Sequence, residues 1–221
     1  MSVKLISLTK PINAELMHLT PEEFIVYIAR VSNPQNQLNT QTAPKLLHYC
    51  IKNGHWSIFE HVYATFEIET TRAIAAQILR HRSFTFQEYS LRYANASLGF
   101  ERIEARLQDT KNRQNSLETD DSDLKQWFSD AQQKVWELSY NLYNDALARG
   151  IAKEQARFLL PLNTKTRLYM TGNLRSWIHY IQLRADASTQ KEHRIIALKL
   201  KDILEVHFPN TFAALDEKKE I

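Results

Sequence analysis

The chain has 221 residues, 43% hydrophobic and 24% charged, with a formal net charge of +3, the profile of a globular protein that one compact domain can accommodate. Its four glycines, Gly54, Gly99, Gly150 and Gly172, are never closer than 22 residues, so neither a G-x-G-x-x-G dinucleotide fingerprint nor a G-x-x-x-x-G-K-[ST] phosphate loop can be written. The single cysteine, Cys50, excludes an intrachain disulfide and any Cys-rich zinc site.

The segment Val3–Leu8 alternates as a strand does. Thr20-Pro21-Glu22-Glu23 is a helix start, with a cap, a proline in the first turn and acids near the positive end of the dipole. That helix is expected to reach about Val31 and stop before Pro34. A second helix, Ala43–Asn53, ends at Gly54. Val62–Ile68 reads as a strand with Val62, Ala64, Phe66 and Ile68 on one face. Thr70 or Thr71 opens a short helix, Arg72–Arg80, and an irregular segment is expected from there to about Ala96. Residues Asn95–Leu117 are polar and poorly patterned, and are expected to be mobile.

The strongest helix is Asp123–Arg149, with Leu124, Trp127, Phe128, Ala131, Val135, Leu138 and Leu142 at helical spacing and Gly150 as its stop. Trp127, Trp136, Tyr140 and Tyr143 on it suit packing or a subunit contact better than a cofactor box. A short helix, Lys153–Leu159, ends at Pro161, and Thr164–Thr171 reads as a strand. Two helices, Leu174–Arg184 and Thr189–His207, precede a charged tail. The expectation is one helix-rich α+β domain over residues 1–221 with a small mixed or antiparallel sheet. No apolar run approaches the ~20 residues of a membrane span, and Met1 to Pro11 lacks the core of a signal peptide. A cytoplasmic protein with no membrane partner is expected.

Arg72, Arg80, His81, Arg82 and Arg92 fall within 21 positions. On the Arg72–Arg80 helix, Ile74 and Ile78 form one apolar line and Ala75 and Leu79 another, while Gln77, Arg80 and His81 leave from the opposite flank. Guanidinium groups match phosphate geometry in a bidentate way. Two other readings stand beside an anion site: a solvated helix C-terminus ion-paired to Glu88, and a single-stranded nucleic-acid surface using Arg80, Arg82 and Arg92 with Phe84, Phe86 and Tyr89. The small net charge weakens the nucleic-acid reading.

Arg80-His81-Arg82, then seven residues, then Ser90-Leu91-Arg92 resembles the signature of the flavin-dependent thymidylate synthases. Gly54-His55-Trp56-Ser57-Ile58-Phe59-Glu60-His61 is similar to another stretch of that family, as are Ala29-Arg30-Val31-Ser32, Ala156 to Asn163, Asn173-Leu174-Arg175-Ser176 and Leu183-Arg184-Ala185-Asp186. The resemblance spans roughly residues 25 to 210. It departs at Ser57-Ile58, where the family often has Thr-Pro, at Leu91, a variable position, and at His179, where some members carry Asn.

The resemblance implies reductive methylation of dUMP to dTMP, with methylenetetrahydrofolate as carbon donor, FAD as hydride carrier and NADPH as reductant, in a homotetramer whose active sites are shared between chains. It assigns Gln77, Arg80, Glu88, Ser90, Arg92, Arg157 and Arg184 to dUMP, with Ile78, Leu79, Tyr89 and Leu91 alongside through backbone or packing. Ser57, Arg80, His81, Arg82, Glu88, Asn173, Arg175 and His179 fall to FAD. Arg184 is the catalytic candidate by its motif alone, since it projects about 180° from Arg175 on an ideal helix. A guanidinium there would stabilise negative charge on the N3/O4 side of the ring and make C5 a better nucleophile.

Other residues are read more plainly. Asn173, before an apolar-periodic helix, is an N-cap as well as a candidate ligand. Ser90 has no base fixed beside it and reads as a hydrogen-bonding residue rather than a nucleophile. Arg157, among apolar neighbours, needs an anion, a carbonyl or a structural ion pair, and the sequence leaves these open. Cys50 reads as a core filler. His55 and His61 lack metal-ligand spacing, and no metal site is expected; His55 is assigned to ordering the flavin edge.

Overall fold

The computed structural model describes residues 1–219. Strand β1 (Ser2–Leu8) is followed by helices α1 (Pro21–Ala29) and α2 (Ala43–Lys52), strand β2 (Tyr63–Thr71), helix α3 (Arg72–Ile78) and strand β3 (Thr85–Glu88). A small hairpin, β4 (Leu107–Gln108) and β5 (Ser116–Leu117), precedes the long helix α4 (Ser122–Ala148) and the short α5 (Lys153–Ala156). Strand β6 (Lys165–Asn173) then leads to α6 (Leu174–Arg184), α7 (Lys191–His207) and α8 (Pro209–Lys219). The main sheet has the order β1-β2-β6-β3 and every pairing is antiparallel, which resolves the expected mixed or antiparallel sheet.

The local signals act as the sequence reading requires. Thr20 and Glu23 form a capping box, each side chain holding the other's backbone N–H. Thr71 caps α3 by accepting from the Ile74 N–H. Asp121 caps α4, which begins at Ser122, one residue ahead of the expected Asp123. Gly54 and Gly150 take φ of +71° and +82° behind α2 and α4, the left-handed stop that a residue with a Cβ resists.

Alternation sorts the two faces of the sheet. Ala64, Phe66, Ile68, Leu168 and Met170 are buried under α3, α6 and α7, which contribute Ile74, Ile78, Trp177, Ile181, Ile196 and Leu200 to the same core. The opposite face carries a polar ladder: Lys4 pairs with Glu67 at 3.3 Å, Arg167 with Glu69 at 2.6 Å, and the Tyr169 hydroxyl donates to Glu67 at 2.7 Å. That hydroxyl and the nearby cations hold the Glu67 carboxyl below the usual range.

Four expectations need correction. The segment expected to be irregular from the end of α3 to Ala96 contains β3, which pairs with β6 from Thr85↔Thr171 to Glu88↔Leu168; four residues are too few for alternation to declare a strand. The tail is the helix α8, whose Phe212 and Leu215 are buried. The buried carboxylate of Glu22 on α1 accepts from the backbone N–H groups of Asn210 and Thr211, which anchors the start of α8. Residues 95–117, read as poorly patterned, carry the β4–β5 hairpin and contacts to two helices: the Gln132 amide of α4 brackets the Ile103 backbone with bonds of 2.9 and 2.8 Å, and Arg106 pairs with Glu192 at 2.7 Å.

The fourth concerns the apolar stripe of α4, which points outward. Trp127 and Leu138 are 64% and 63% exposed, while Trp136, Tyr143 and Ala146, on another face, are buried. That buried face forms a second small core with Leu91, Ala96 and Ala156, and Trp136 stacks on Phe100 and Tyr140 at 5.1 and 5.0 Å. Helical spacing identifies both faces but not which one the chain itself covers.

Two features of the main core generate predictions. Phe84 lies against Trp177 and Tyr180, with ring centroids 4.6 and 5.9 Å away, and over Gly172, where an added Cβ would sit 2.4 Å from Phe84 Cδ1. Gly172→Ala is therefore expected to cost about 1–3 kcal/mol, read as a lowered urea or thermal midpoint; an unchanged midpoint contradicts this packing. The core also holds His193, fully buried, and half-buried His81, whose rings are pushed down to about 3 and about 4 by burial and by the Arg184 charge. Both are neutral when folded, whereas the unfolded chain takes up protons on them below about pH 6.5. Unfolding thus becomes easier as pH falls, by up to about 1.4 kcal/mol per pH unit for each ring. Urea midpoints that stay flat between about pH 6.5 and 5 would contradict neutral folded imidazoles.

Candidate active site

The paired strands β2 and β6 run without a loop into α3 and α6, and the register Tyr63↔Asn173 and Thr71↔Lys165 sets where each helix begins. Beyond α3 the chain turns sharply. His81 N–H donates to the Ile78 carbonyl at 3.1 Å and Phe84 N–H to the His81 carbonyl at 3.3 Å. Buried Ile78 and Phe84 pin the two ends of this turn, which leaves Arg80 and Arg82 exposed and tucks His81 inward. There the Arg184 Nε–H, at the C-terminus of α6, donates to His81 Nε2 at 3.0 Å. His81 is thus a neutral acceptor under a guanidinium, not the middle cation of three. Among the described residues no carboxylate pairs with Arg80, Arg82 or Arg184.

The expected flavin residues of α6 share one cleft. It has a volume of about 530 Å³ and lies between the α6 start, the Ser83 turn and the short 3₁₀ segment Ser57–Glu60. Asn173, Arg175 and His179 line it together with Trp56, Glu60 and Ser83. Asn173 caps the helix, its side chain accepting from the Ser176 N–H at 2.9 Å, and Arg175 is ion-paired with Glu60. Glu60, which sequence reading passed over, lies inside the quoted Phe59-Glu60-His61 run. Ser57 is exposed at the head of the 3₁₀ segment and is not part of the lining.

The remaining candidates lie elsewhere on the chain. Glu88 sits on β3, where the Arg72 guanidinium holds it at 2.9 Å and the Thr166 hydroxyl donates to it at 2.8 Å. Its cation is Arg72, not Arg80 or Arg82. Glu88, Tyr89 and Ser90 line a second cleft of about 590 Å³ with Arg167 and Tyr169. Ser90 Oγ accepts from the Arg92 N–H at 3.3 Å and no base stands beside it in the described contacts. Leu91 is buried in the second core and borders the cleft that Arg72 and Arg157 line. The fully buried Ile78 side chain is likewise core, while Leu79 is partly exposed.

Arg92 pairs with Glu154 at 3.1 Å. Arg157 donates to the Glu154 carbonyl at 3.2 Å, lies over the Phe158 ring at 5.6 Å and has no carboxylate partner among the described residues. It shares a third, smaller cleft with Arg72. In one chain, therefore, Gln77, Arg80 and Arg184 lie about the end of α3 and the C-terminus of α6, while Glu88, Ser90, Arg92 and Arg157 follow from β3 to α5 and are linked through Arg72 and the Ser90–Arg92 bond.

Two alternative chemistries lose support here. Phe84 is core packing rather than a base-stacking platform. Cys50 is buried on α2, and burial pushes its thiol up, away from the nucleophilic thiolate. Sequence reading also missed His193, a polar residue at an apolar position of α7, and Tyr180 on α6, whose hydroxyl lies 2.8 Å from His193 Nε2.

Comparisons with known proteins agree with this architecture. The family model described as thymidylate synthase complementing protein matches residues 15–210. A flavin-dependent thymidylate synthase of Synechocystis sp. is 59% identical over 217 residues, covering 98% of this chain and 100% of the relative. A probable flavin-dependent thymidylate synthase of Paramecium bursaria Chlorella virus 1 is 53% identical, covering 98% and 99%. The crystal structure of PolB, a UMP/dUMP methylase from Streptomyces cacaoi bound with 5-Br dUMP, shares the fold with a TM-score of 0.83 at 24% identity, covering 98% of this chain and 94% of PolB. With a family model that takes in both the Arg80-His81-Arg82 turn and Arg184, and a relative identical at more than half of its positions, the chain belongs to the thymidylate synthase complementing protein family, the flavin-dependent thymidylate synthases.

Proposed function

We propose that the protein carries out reductive methylation of dUMP to dTMP, with methylenetetrahydrofolate giving the carbon, FAD reduced by NADPH giving the hydride, and no cysteine nucleophile. The observation that carries this reading is Arg184: a half-buried guanidinium without a carboxylate partner, its Nε fixed on a neutral imidazole. Such a group keeps its full charge for a ligand.

The α6 cleft suits a flavin dinucleotide by its chemistry. It offers the N-terminus of an eleven-residue helix, the Ser83 hydroxyl, the Arg175 cation and the apolar ring of Trp56, in a volume within the roughly 300–1,000 Å³ of small-molecule sites. Arg175 must loosen its pair with Glu60 to meet a phosphate. When bound, reduced FAD supplies the hydride that the methylene carbon needs to become a methyl group.

The chain's own residues orient the pyrimidine and carry its charge. Exposed Arg80 and Arg82 are the cations available to phosphate groups. Ser90 already accepts from the Arg92 N–H, which leaves its O–H free to donate to the nucleotide. Arg184 would hold the negative charge that builds on the N3/O4 side as C5 bonds to the methylene carbon, the C5 proton passing to water. His81, neutral and accepting, holds that guanidinium in place without competing for the anion. The exposed apolar stripe of α4 supports a tetramer in which neighbouring chains complete each site. No helix of the described residues is long and apolar enough to cross a membrane, and the mild positive charge suits anionic small molecules; we place the enzyme in the cytoplasm.

The test is anaerobic reduction of the bound flavin by NADPH, followed by addition of dUMP and methylenetetrahydrofolate; folded protein that binds no FAD would end this reading. Arg184→Ala is expected to lower dTMP formation by about 10²-fold or more with flavin still bound, and retained turnover removes its catalytic assignment. Cys50→Ala is expected to keep turnover within about twofold, at a cost of about 1 kcal/mol in stability; a folded but inactive variant would restore thiol chemistry.

A further inference from the structure

Beneath Gln77 runs a chain of hydrogen bonds whose direction is fixed from one end. Glu192 is buried and paired with Arg106 at 2.7 Å, and a carboxylate can only accept. Gln190 must therefore turn its NH₂ group to it, and Gln190 Nε2 lies 2.9 Å from Glu192 Oε2. The Gln190 carbonyl is left facing Gln77, whose Nε2 donates to it at 2.7 Å. The Gln77 carbonyl then faces His193 Nδ1 at 3.2 Å, so that nitrogen must carry the ring proton. The bare Nε2 of His193 accepts from the Tyr180 hydroxyl at 2.8 Å.

Every member of this chain has one compatible orientation. A flipped Gln77 amide would set its NH₂ against the His193 Nδ1–H and its carbonyl against that of Gln190. Correcting the first clash requires the ring proton to move to Nε2, and the second requires Gln190 to point its carbonyl at Glu192. Both ends resist. Gln77 keeps one N–H and one carbonyl lone pair beyond the chain, and these are what it can offer a ligand.

We propose that His193 is a positioning residue for the reaction: backed by Tyr180, it anchors the Gln77 carbonyl against the Gln190–Glu192–Arg106 arm that sets the direction of the chain, and so holds in place the amide donor and acceptor that meet the pyrimidine nucleotide. This rests on the reading of Gln77 as part of the dUMP site. His193 reaches the ligand only through Gln77. Its ring contacts among the described residues are Tyr180 at 5.6 Å and the neutral His81 at 6.2 Å, and the charge that acts on it is that of Arg184.

The test is titration of dUMP into the full-length, flavin-loaded protein, comparing wild type with His193→Asn and His193→Leu, each also made with Gln77→Ala. The asparagine amide puts an N–H where Nδ1 stands, whereas leucine fills the space with no donor. His193→Leu is expected to weaken dUMP binding about five- to tenfold, the loss of one hydrogen bond and of the order it imposes. His193→Asn is expected to stay within about twofold of wild type. With Gln77→Ala the two are expected to be equal, because a residue acting through Gln77 has nothing left to orient. Equal losses for Asn and Leu, or a Leu effect that persists with Gln77→Ala, would overturn the proposal.

If His193→Leu does not fold, Tyr180→Phe serves instead, since it removes only the hydroxyl. It is expected to weaken dUMP about two- to threefold, with no effect beside Gln77→Ala; wild-type affinity would overturn the proposal. Flavin-loaded wild type that binds no dUMP refutes the reading of the site and this role with it. Wild type that binds dUMP, with His193 and Gln77 effects that simply add, refutes the role alone.

Discussion

Strands β2 and β6 pair residue for residue from Tyr63↔Asn173 to Thr71↔Lys165, and each passes directly into a helix. A one-residue slip in this pairing would turn Ala64, Phe66 and Ile68 to the outer face and the polar ladder of Glu67, Glu69 and Arg167 inward. The register is therefore held by the core on one side and by charge on the other. Because no loop intervenes, it also fixes the starts of α3 and α6, and with them the rows of side chains each presents. Gln77 and the Arg80–Ser83 turn follow from α3. Asn173, Arg175, His179 and Arg184 follow from α6. The site inherits its precision from the sheet, the most rigid pairing available to the chain.

Charge balance then separates the arginines of the cluster. Arg72 is held by Glu88, Arg92 by Glu154 and Arg175 by Glu60, so each must exchange or share its partner to meet a ligand. Arg80, Arg82, Arg157 and Arg184 have no carboxylate in the described contacts. Exposed Arg80 and Arg82 lose little by this, since water solvates them. Half-buried Arg157 and Arg184 make hydrogen bonds only to a carbonyl and an imidazole, and an unneutralised charge at partial burial is costly unless an anion completes it. Arg157, which the sequence left between a ligand role and a structural ion pair, falls on the side of the unneutralised group.

The sequence made the long elements legible because their signals are local. The Thr20–Glu23 box, the Thr71 and Asn173 caps, Gly54 and Gly150, and the alternation of β2 each act within a few residues of where they are written. What it hid is decided at a distance. β3 is four residues long and exists because β6 pairs with it. α8 looks like a charged tail until Glu22, almost the whole chain away in sequence, accepts its first N–H groups. The stripe of α4 was legible as apolar, yet its own chain covers a neighbouring face. The candidate site divides in the same way. The motif residues could be quoted in order, but that Glu88 faces Arg72 and that His81 lies under Arg184 are facts of tertiary placement.

The two histidines near Arg184 show how such a placement changes the chemistry of a motif. Written as Arg80-His81-Arg82, the turn reads as three cations gathered for a phosphate. Folded, His81 is packed edge-on against Tyr180 at 4.7 Å and takes the Arg184 Nε–H on its bare nitrogen. A protonated ring there would repel Arg184 and lose its power to accept, so the fold keeps the proton off by burial and by the guanidinium itself. His193 is kept neutral by the same two causes. Neutrality gives each ring one donor and one acceptor nitrogen, and a group with one of each imposes direction on whatever it touches. The positive charge then resides on the guanidinium groups alone, where the geometry is planar and fixed, while the imidazoles set orientation. Steering and charge are carried by different residues, yet they are coupled, since the Arg184 charge is one of the causes that keep both rings neutral.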